Sequence, residues 1–115
     1  RMLKHIAVRP AGGTWVIRAG GAVLGESSRA PELTEGDKPF VIFFPREDVA
    51  MAFLEPSPYR SSSAALGEAE HYHIASKSRT YENAVFCYTQ PKPDAAEIGG
   101  YLAFDVQDGV AVEQV

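Results

Sequence analysis

The sequence predicts a mainly β protein, a compact antiparallel barrel or sandwich of about seven short strands with one short helix near residues 46–54. Short apolar or alternating segments recur along the 115 residues and are separated by turns rich in glycine and proline. Strands do not alternate with long helical patterns, which excludes a doubly wound parallel sheet. The length and the 45% hydrophobic composition predict one domain over residues 1–115.

Each predicted strand depends on a local pattern. The clearest signal is a hairpin at Gly20-Gly21, because glycine readily adopts the positive φ of tight hairpin turns. Asp108-Gly109 predicts a second hairpin near the C-terminus. The polar segments 27–38 and 59–67 are predicted to be loops. The predicted strands cover residues 5–9, 15–18, 22–24, 40–44, 70–76, 81–88, 101–106 and 110–115.

The predicted helix begins after Pro45, since proline fits the first helical turn. Glu47 and Asp48 follow it, where the helix dipole favours negative charge. Pro56 and Pro58 prevent continuation, so two turns are expected. A single helical turn is predicted over 94–98.

The charge and composition of the chain limit the classes of partner that it is expected to bind. The formal net charge is −4, and the acidic excess lies in residues 61–115, with three Lys or Arg against eight Asp or Glu. No Lys/Arg cluster with interleaved aromatic residues is present, so we expect no nucleic-acid partner. No apolar run reaches membrane-spanning length, and none of signal-peptide length follows residues 1–5, so we expect no membrane partner and a cytoplasmic location. No cofactor is implied.

Arg46, Glu47 and Asp48 form the densest charged cluster beside apolar sequence. One interpretation is an anion site in which Arg46 offers a bidentate fork at a helix N-terminus, with Tyr59 and Arg60 converging on it. The favoured alternative is a solvated helical turn in which Asp48 holds a neighbouring loop.

His71 and His73 are two residues apart on a predicted strand and therefore project from one face. With Glu68 or Glu82 as a third ligand they are weak candidates for a metal site, and an imidazole is also a possible general base. The ligand set is incomplete, so an outward-facing or half-buried surface is the favoured interpretation and no metal is expected.

Two places in the sequence carry a hydroxyl or thiol nucleophile. Cys87, between Phe86 and Tyr88, is predicted to lie in the core, because free cysteine behaves as a small hydrophobe and no base is close in sequence. The run 61–63 contains three serines that offer a hydroxyl nucleophile, but no Gly-x-Ser-x-Gly elbow surrounds it, and a solvated loop is favoured.

Glu82 and Asn83 interrupt an apolar strand. Buried polar groups require partners, so Asn83 is expected to hold a loop backbone. The equally weighted alternative is that the pair lines a pocket with Tyr88 and Tyr101 as walls.

The segment Phe44-Pro45-Arg46-Glu47-Asp48-Val49 and the later Leu54-Glu55-Pro56-Ser57 resemble the bacterial family catalogued as domain of unknown function 427, also labelled nucleotidyltransferase-like. Glu82-Asn83-Ala84, Tyr88 and Gly100-Tyr101-Leu102-Ala103-Phe104 extend the resemblance over nearly the whole chain. The resemblance implies packed antiparallel sheets and carries no established activity. Members typically have Cys-Pro-aromatic-Lys-Gly where this chain has Ser63-Ala64-Ala65-Leu66-Gly67, so both the cysteine and the lysine are missing.

The leading functional hypothesis is a small β-domain that binds a small anionic or nucleotide-like ligand in one pocket. The candidate lining residues are Arg46, Asp48, Tyr59, Arg60, Glu82, Asn83, Tyr88 and Tyr101. The first alternative is an interaction module without catalysis, forming a homodimer or binding a partner through aromatic surface or strand edges. The second is a nucleotidyltransferase-like enzyme, supported by the family label only, so catalysis is left open.

Overall fold

The computed structural model describes residues 5–115, and the first four residues of the N-terminal segment considered above lie outside the described chain. Ten strands follow in order: β1 (Ile6–Pro10), β2 (Trp15–Ala19), β3 (Ala22–Ser27), β4 (Pro31–Glu35), β5 (Val41–Ile42), β6 (Leu54–Ser63), β7 (Gly67–Ala75), β8 (Thr80–Cys87), β9 (Ala103–Phe104) and β10 (Val110–Gln114). The mainly β class predicted from the sequence is confirmed.

The strands form three antiparallel sheets, with orders β1-β4-β5, β10-β2-β3 and β6-β7-β8-β9. The described strands do not close into a barrel, so the sandwich is the architecture that the structure supports. Residues of β8 alternate between two apolar clusters. Val85 and Cys87 belong to the first cluster, with residues of β2, β3 and β10. Phe86 packs against the second cluster, with residues of β1, β4 and β5. The four-stranded sheet is therefore covered on both faces.

The short helix predicted near residues 46–54 is not one helix. Two separate 3-10 turns, Arg46–Asp48 and Met51–Phe53, flank Val49, whose backbone is extended at φ −117° and ψ 138°. Val49 is buried and forms an isolated bridge with Gly25 of β3. This tertiary contact holds Val49 out of a helical conformation. The predicted turn over 94–98 is a 3-10 segment, Pro93–Ile98.

Two predicted loops contain strands. The segment 27–38 includes β4, which pairs with β1 along its whole length. The segment 59–67 includes the second half of β6, and only residues 64–66 form the turn to β7. The predicted strand over 40–44 is shorter than expected: β5 covers Val41–Ile42, and the fully buried Phe43 and Phe44 follow it. Both glycines at 20–21 and Gly109 have positive φ, as the predicted hairpins require.

Candidate functional site

Two β-bulges lie side by side in the four-stranded sheet. The register of β6 against β7 shifts between Ser57 and Arg60, and that of β7 against β8 shifts between Tyr72 and Ile74. Asn83, on the bulged part of β8, has φ +54°. Bulges are over-represented next to active sites because they redirect side chains, so this part of the sheet is the first place to search for a site.

Both histidines of β7 bind the backbone of Asn83, which the bulge removes from the strand ladder. The Asn83 N–H donates to His73 Nδ1 at 3.0 Å, and His71 Nδ1 lies 3.1 Å from the Asn83 carbonyl oxygen. The Asn83 side chain is held from the other side, because the buried Ser57 hydroxyl donates to its Oδ1 at 2.6 Å. The polar groups of Asn83 are therefore bound by side chains of β6 and β7.

Ser61 and His71 form a hydrogen-bonded pair at the same place. Ser61 Oγ lies 2.8 Å from His71 Nε2, and both residues are half-buried. A carbonyl oxygen can only accept, so the hydrogen bond to Asn83 places a proton on His71 Nδ1. In the neutral ring, Nε2 then offers its lone pair to the Ser61 hydroxyl. We call Ser57, Ser61, His71, His73 and Asn83 the His71 face.

Two of the candidate residues border this face. The ring of Tyr59, half exposed, meets the His71 ring edge-on at 4.8 Å between centroids. Arg60 donates from Nη1 to the carbonyl oxygens of Ser57 and Tyr59, each at 3.0 Å. Arg60 therefore closes the β6 bulge, and its charge lies beside the serine-rich strand. Glu82 is exposed on β8.

Arg46 lies away from the His71 face, beside the first apolar cluster, which contains Cys87. Its guanidinium donates to the Tyr72 hydroxyl from Nη1 and Nη2, each at 3.4 Å, and Nη2 lies 4.0 Å from Cys87 Sγ. The hydrogen bond to Tyr72 raises the pKa of Arg46. Burial raises the pKa of the Cys87 thiol, although the nearby Arg46 charge acts against this. Cys87 is fully buried, as predicted, and belongs to the core.

Asp48 lies beside the segment between β3 and β4. Its carboxylate lies 3.5 Å from Arg29 Nε, and Glu47 accepts from Arg29 Nη2 at 2.9 Å. The hydrogen bond to Glu47 raises the pKa of Arg29, and the same bond lowers the pKa of Glu47. Arg29 then reaches a groove that contains Tyr101.

That groove has a volume of about 260 Å³. It is lined by Val8, Arg9, Pro10, Arg29, Pro31, Glu97 and Tyr101. A larger groove of about 420 Å³ is lined mainly by apolar side chains, among them Trp15, Phe40 and Phe86, with Asp105 as its charged residue. A carboxylate without a cation does not suit an anionic ligand, so the smaller groove matches the predicted ligand better.

The structure does not bring the eight candidate residues into one pocket. Tyr59, Arg60 and Asn83 meet at the His71 face. Arg29, which pairs with Asp48, lines the same groove as Tyr101, and Arg46 lies by Tyr72. Tyr88 is buried in the second cluster beside Phe43, and this burial raises its pKa. No sequence motif marks Arg9 or Arg29, since each is an isolated charged residue. Ser57 lies in a segment that carries the family resemblance, but that segment does not indicate its contact with Asn83.

The part of the chain from residue 5 onwards contains no group of three or more His, Cys, Asp or Glu side chains that could hold a metal ion. Within the same part, no helix is long and apolar enough to span a membrane.

The fold and these surfaces define a mainly β protein of three packed antiparallel sheets with polar groups gathered at a double bulge. Residues 7–115 match the family model described as "Domain of unknown function (DUF427)", and the chain belongs to that family. No curated protein matches the sequence.

Proposed function

We propose that this protein binds a small anionic or nucleotide-like ligand in the groove between Arg9 and Arg29. One observation carries the proposal: two arginines, one tyrosine and one glutamate line the same concave surface, whose other walls are valine and proline. Small-molecule sites typically combine apolar walls with a few convergent polar groups in this way.

The two guanidinium groups supply the charge complementarity. The side chains of Arg9 and Arg29 are 62% and 56% exposed, so both keep donors accessible to a ligand. Arg9 approaches Glu32 only at 3.8 Å, which leaves its planar fork available for a phosphate or carboxylate. The lining carries one carboxylate, Glu97, and Glu32, Glu47 and Asp48 pair with the two cations from outside the lining. An anionic group with an adjacent flat or apolar moiety fits this lining.

Glu47 and Asp48 position Arg29 from the side of the first 3-10 turn. Their hydrogen bond and ion pair hold the guanidinium at the groove, so less side-chain freedom is lost when a ligand binds. In this proposal Asp48 acts through Arg29 and Tyr101 lines the groove, whereas Arg46 has no part in binding. The turn around Arg46–Asp48 has only three residues, so no helix N-terminus contributes.

The proposal is tested by titrating ¹⁵N-labelled protein with adenosine monophosphate and with inorganic phosphate. We expect chemical-shift changes at residues 8–10, 29–31 and 97–101, and about tenfold weaker binding in Arg9→Gln, since one charged hydrogen-bonding partner is worth roughly 1.5–3 kcal/mol. Arg18→Gln is the matched control, because Arg18 is an exposed, paired arginine on β2. Shift changes outside the groove, or equal affinities in the two variants, would refute the proposal.

The interaction module remains the alternative, and the larger apolar groove favours it. Phe40 and Val106 line that groove and are 50% and 62% exposed. Strand-edge pairing is the weaker route to such a dimer, because Pro56 and Pro58 remove donors from the edge strand β6. Sedimentation velocity distinguishes the two functions: the alternative requires a concentration-dependent mass that Phe40→Ser abolishes.

The nucleotidyltransferase label has no comparable support in this chain. Leu66, at the position of the family lysine, is buried in the second cluster. An apolar, buried side chain offers nothing to a phosphate.

A further inference from the structure

The geometry points to a second, chemically reactive site on the His71 face: Ser61 is a nucleophile for acyl transfer, with His71 as its general base. The site lies on β6, β7 and β8, which do not line the arginine groove. It is therefore independent of the proposed ligand site.

The Ser61 hydroxyl, the His71 ring and the Asn83 carbonyl are arranged so that the hydroxyl is activated. Ser61 Oγ is within hydrogen-bond reach of His71 Nε2 at 2.8 Å, and His71 Nδ1 is fixed at 3.1 Å by the Asn83 carbonyl. A nucleophile, a base in contact with it and a third group that orients the base are the signature of an activated serine. Here a backbone carbonyl takes the orienting place that a carboxylate often holds.

The orienting group is itself held firmly. The positive φ of Asn83 directs its carbonyl out of the ladder, while Ser57 and His73 bind its side chain and its N–H. A reactive constellation needs this kind of support, because small errors in geometry lower the rate steeply. The bulge at Asn83 therefore directs the carbonyl oxygen that orients His71, a role that strand pairing does not explain.

The surroundings indicate the substrate class. Tyr59 lies edge-on to His71 and is half exposed, and Phe86 lies on another side of the same ring at 6.3 Å between centroids. These rings offer an apolar, aromatic surface beside the hydroxyl. An activated ester with an aromatic leaving group fits this surface.

The reaction balances without a further cofactor. Ser61 Oγ attacks the ester carbonyl carbon, an O–C bond forms, and the hydroxyl proton passes to His71 Nε2. The tetrahedral adduct collapses, the bond to the leaving oxygen breaks, and His71 returns the proton to that oxygen. The products are acyl-Ser61 and an alcohol. Water, deprotonated by His71, then releases the carboxylic acid and restores the serine.

The first test is covalent labelling of the folded chain with phenylmethylsulfonyl fluoride, read by intact mass and peptide mapping. We expect one sulfonyl adduct per chain, located on Ser61, with fluoride as the leaving group. Ser61→Ala should lose the adduct, whereas Ser62→Ala, which changes the exposed neighbour on the same strand, should label as the wild type does.

His71→Gln separates base catalysis from simple exposure of the hydroxyl. The glutamine amide can still donate to the Asn83 carbonyl, but it cannot take up the serine proton as a base. The rate of labelling should therefore fall by about 100-fold or more. Amide NMR spectra establish that the variant is folded. If that spectrum is lost, the Ser61→Ala and Ser62→Ala pair still decides whether Ser61 is the reactive hydroxyl, since neither variant removes the contact between His71 and Asn83.

The second test uses p-nitrophenyl acetate. A burst of one p-nitrophenol per chain is expected from the wild type and none from Ser61→Ala. An adduct on another residue, equal labelling rates in His71→Gln, or no adduct on the folded wild type would each overturn the inference.

Discussion

At the residue scale, Asn83 combines a backbone conformation and a side-chain role that few residues can supply together. Among residues 5–115 it is the one non-glycine residue with positive φ. Asparagine tolerates this region better than most residues. Its Oδ1 also accepts from the buried Ser57 hydroxyl, which itself accepts from the Tyr59 N–H at 3.0 Å. The Asn83 backbone and side chain therefore connect β8 to β7 and, across β7, to the edge strand β6.

Substitution of Asn83 separates the two contributions. Asn83→Ala should lower the free energy of unfolding by about 2–3 kcal/mol, from a left-handed backbone worth roughly 1–2 kcal/mol and a lost hydrogen bond worth roughly 1 kcal/mol. Asn83→Gly loses the hydrogen bond but accepts positive φ, so its loss should be smaller. Urea unfolding measures both variants. Equal losses would show that the backbone conformation stores no strain.

How far the sequence predicts this site depends on the type of residue. The alternation over 70–76 correctly places His71 and His73 on one face, and Glu82-Asn83 was identified because polar residues interrupt an apolar strand. The contact of Ser61 with His71 was missed because the serine run has the polar composition of a loop. Ser57 lies in a segment that carries the family resemblance, but nothing in that segment predicts its contact with Asn83. Their contacts depend on the register between β6 and β7, which composition does not encode.

At the element scale, β3 and the turn at Arg46–Asp48 approach each other through Gly25. A Cβ at this position would lie 2.7 Å from the Asp48 carbonyl oxygen and 3.3 Å from the Val49 Cα, so no side chain fits. The Ala50 N–H donates to the Leu24 carbonyl at 2.7 Å across the same contact. This close packing positions the turn whose acidic residues hold Arg29.

Gly25→Ala should therefore separate the turn from β3. We expect the free energy of unfolding to fall by about 1–3 kcal/mol, the usual cost of overpacking. The Ala50 amide should exchange with solvent faster, because its partner on β3 moves away. Glu26→Ala, at the exposed neighbouring position, is the control and should change stability by less than about 0.5 kcal/mol. Unchanged exchange at Ala50 would contradict the expected separation.

Strand β4 and the second half of strand β6 were not predicted from the sequence, and strand pairing explains why. Strand β4 has one buried residue, Leu33, between a proline and a glycine that predict turns, and it forms because β1 and β5 pair with it on both sides. Strand β6 is polar because it lies at the edge of its sheet and is mostly exposed. Tertiary pairing determines both strands, whereas the Gly20-Gly21 hairpin is determined locally and was predicted correctly.

At the scale of the whole molecule, both apolar clusters contain a group that is buried in its neutral form. Burial raises the pKa of Cys87 in the first cluster and that of Tyr88 in the second. Coulombic repulsion from Glu35 acts in the same direction on Tyr88. The two clusters cover opposite faces of the four-stranded sheet, so ionisation of either group disrupts the packing of that sheet.

Stability should consequently fall on the alkaline side. A raised pKa in the folded state means that the unfolded chain releases protons first, so the free energy of unfolding decreases as pH rises above the ordinary thiol pKa, about 8.5, and again above that of tyrosine, about 10. Below these values the contribution is fully present. Chemical unfolding between pH 7 and pH 11 measures the slope. Cys87→Ala should flatten the first part of the decline, whereas Tyr59→Phe, which alters an exposed tyrosine, should leave the whole profile unchanged. A profile that is flat for the wild type would show that the two buried groups titrate alike in the folded and unfolded chains.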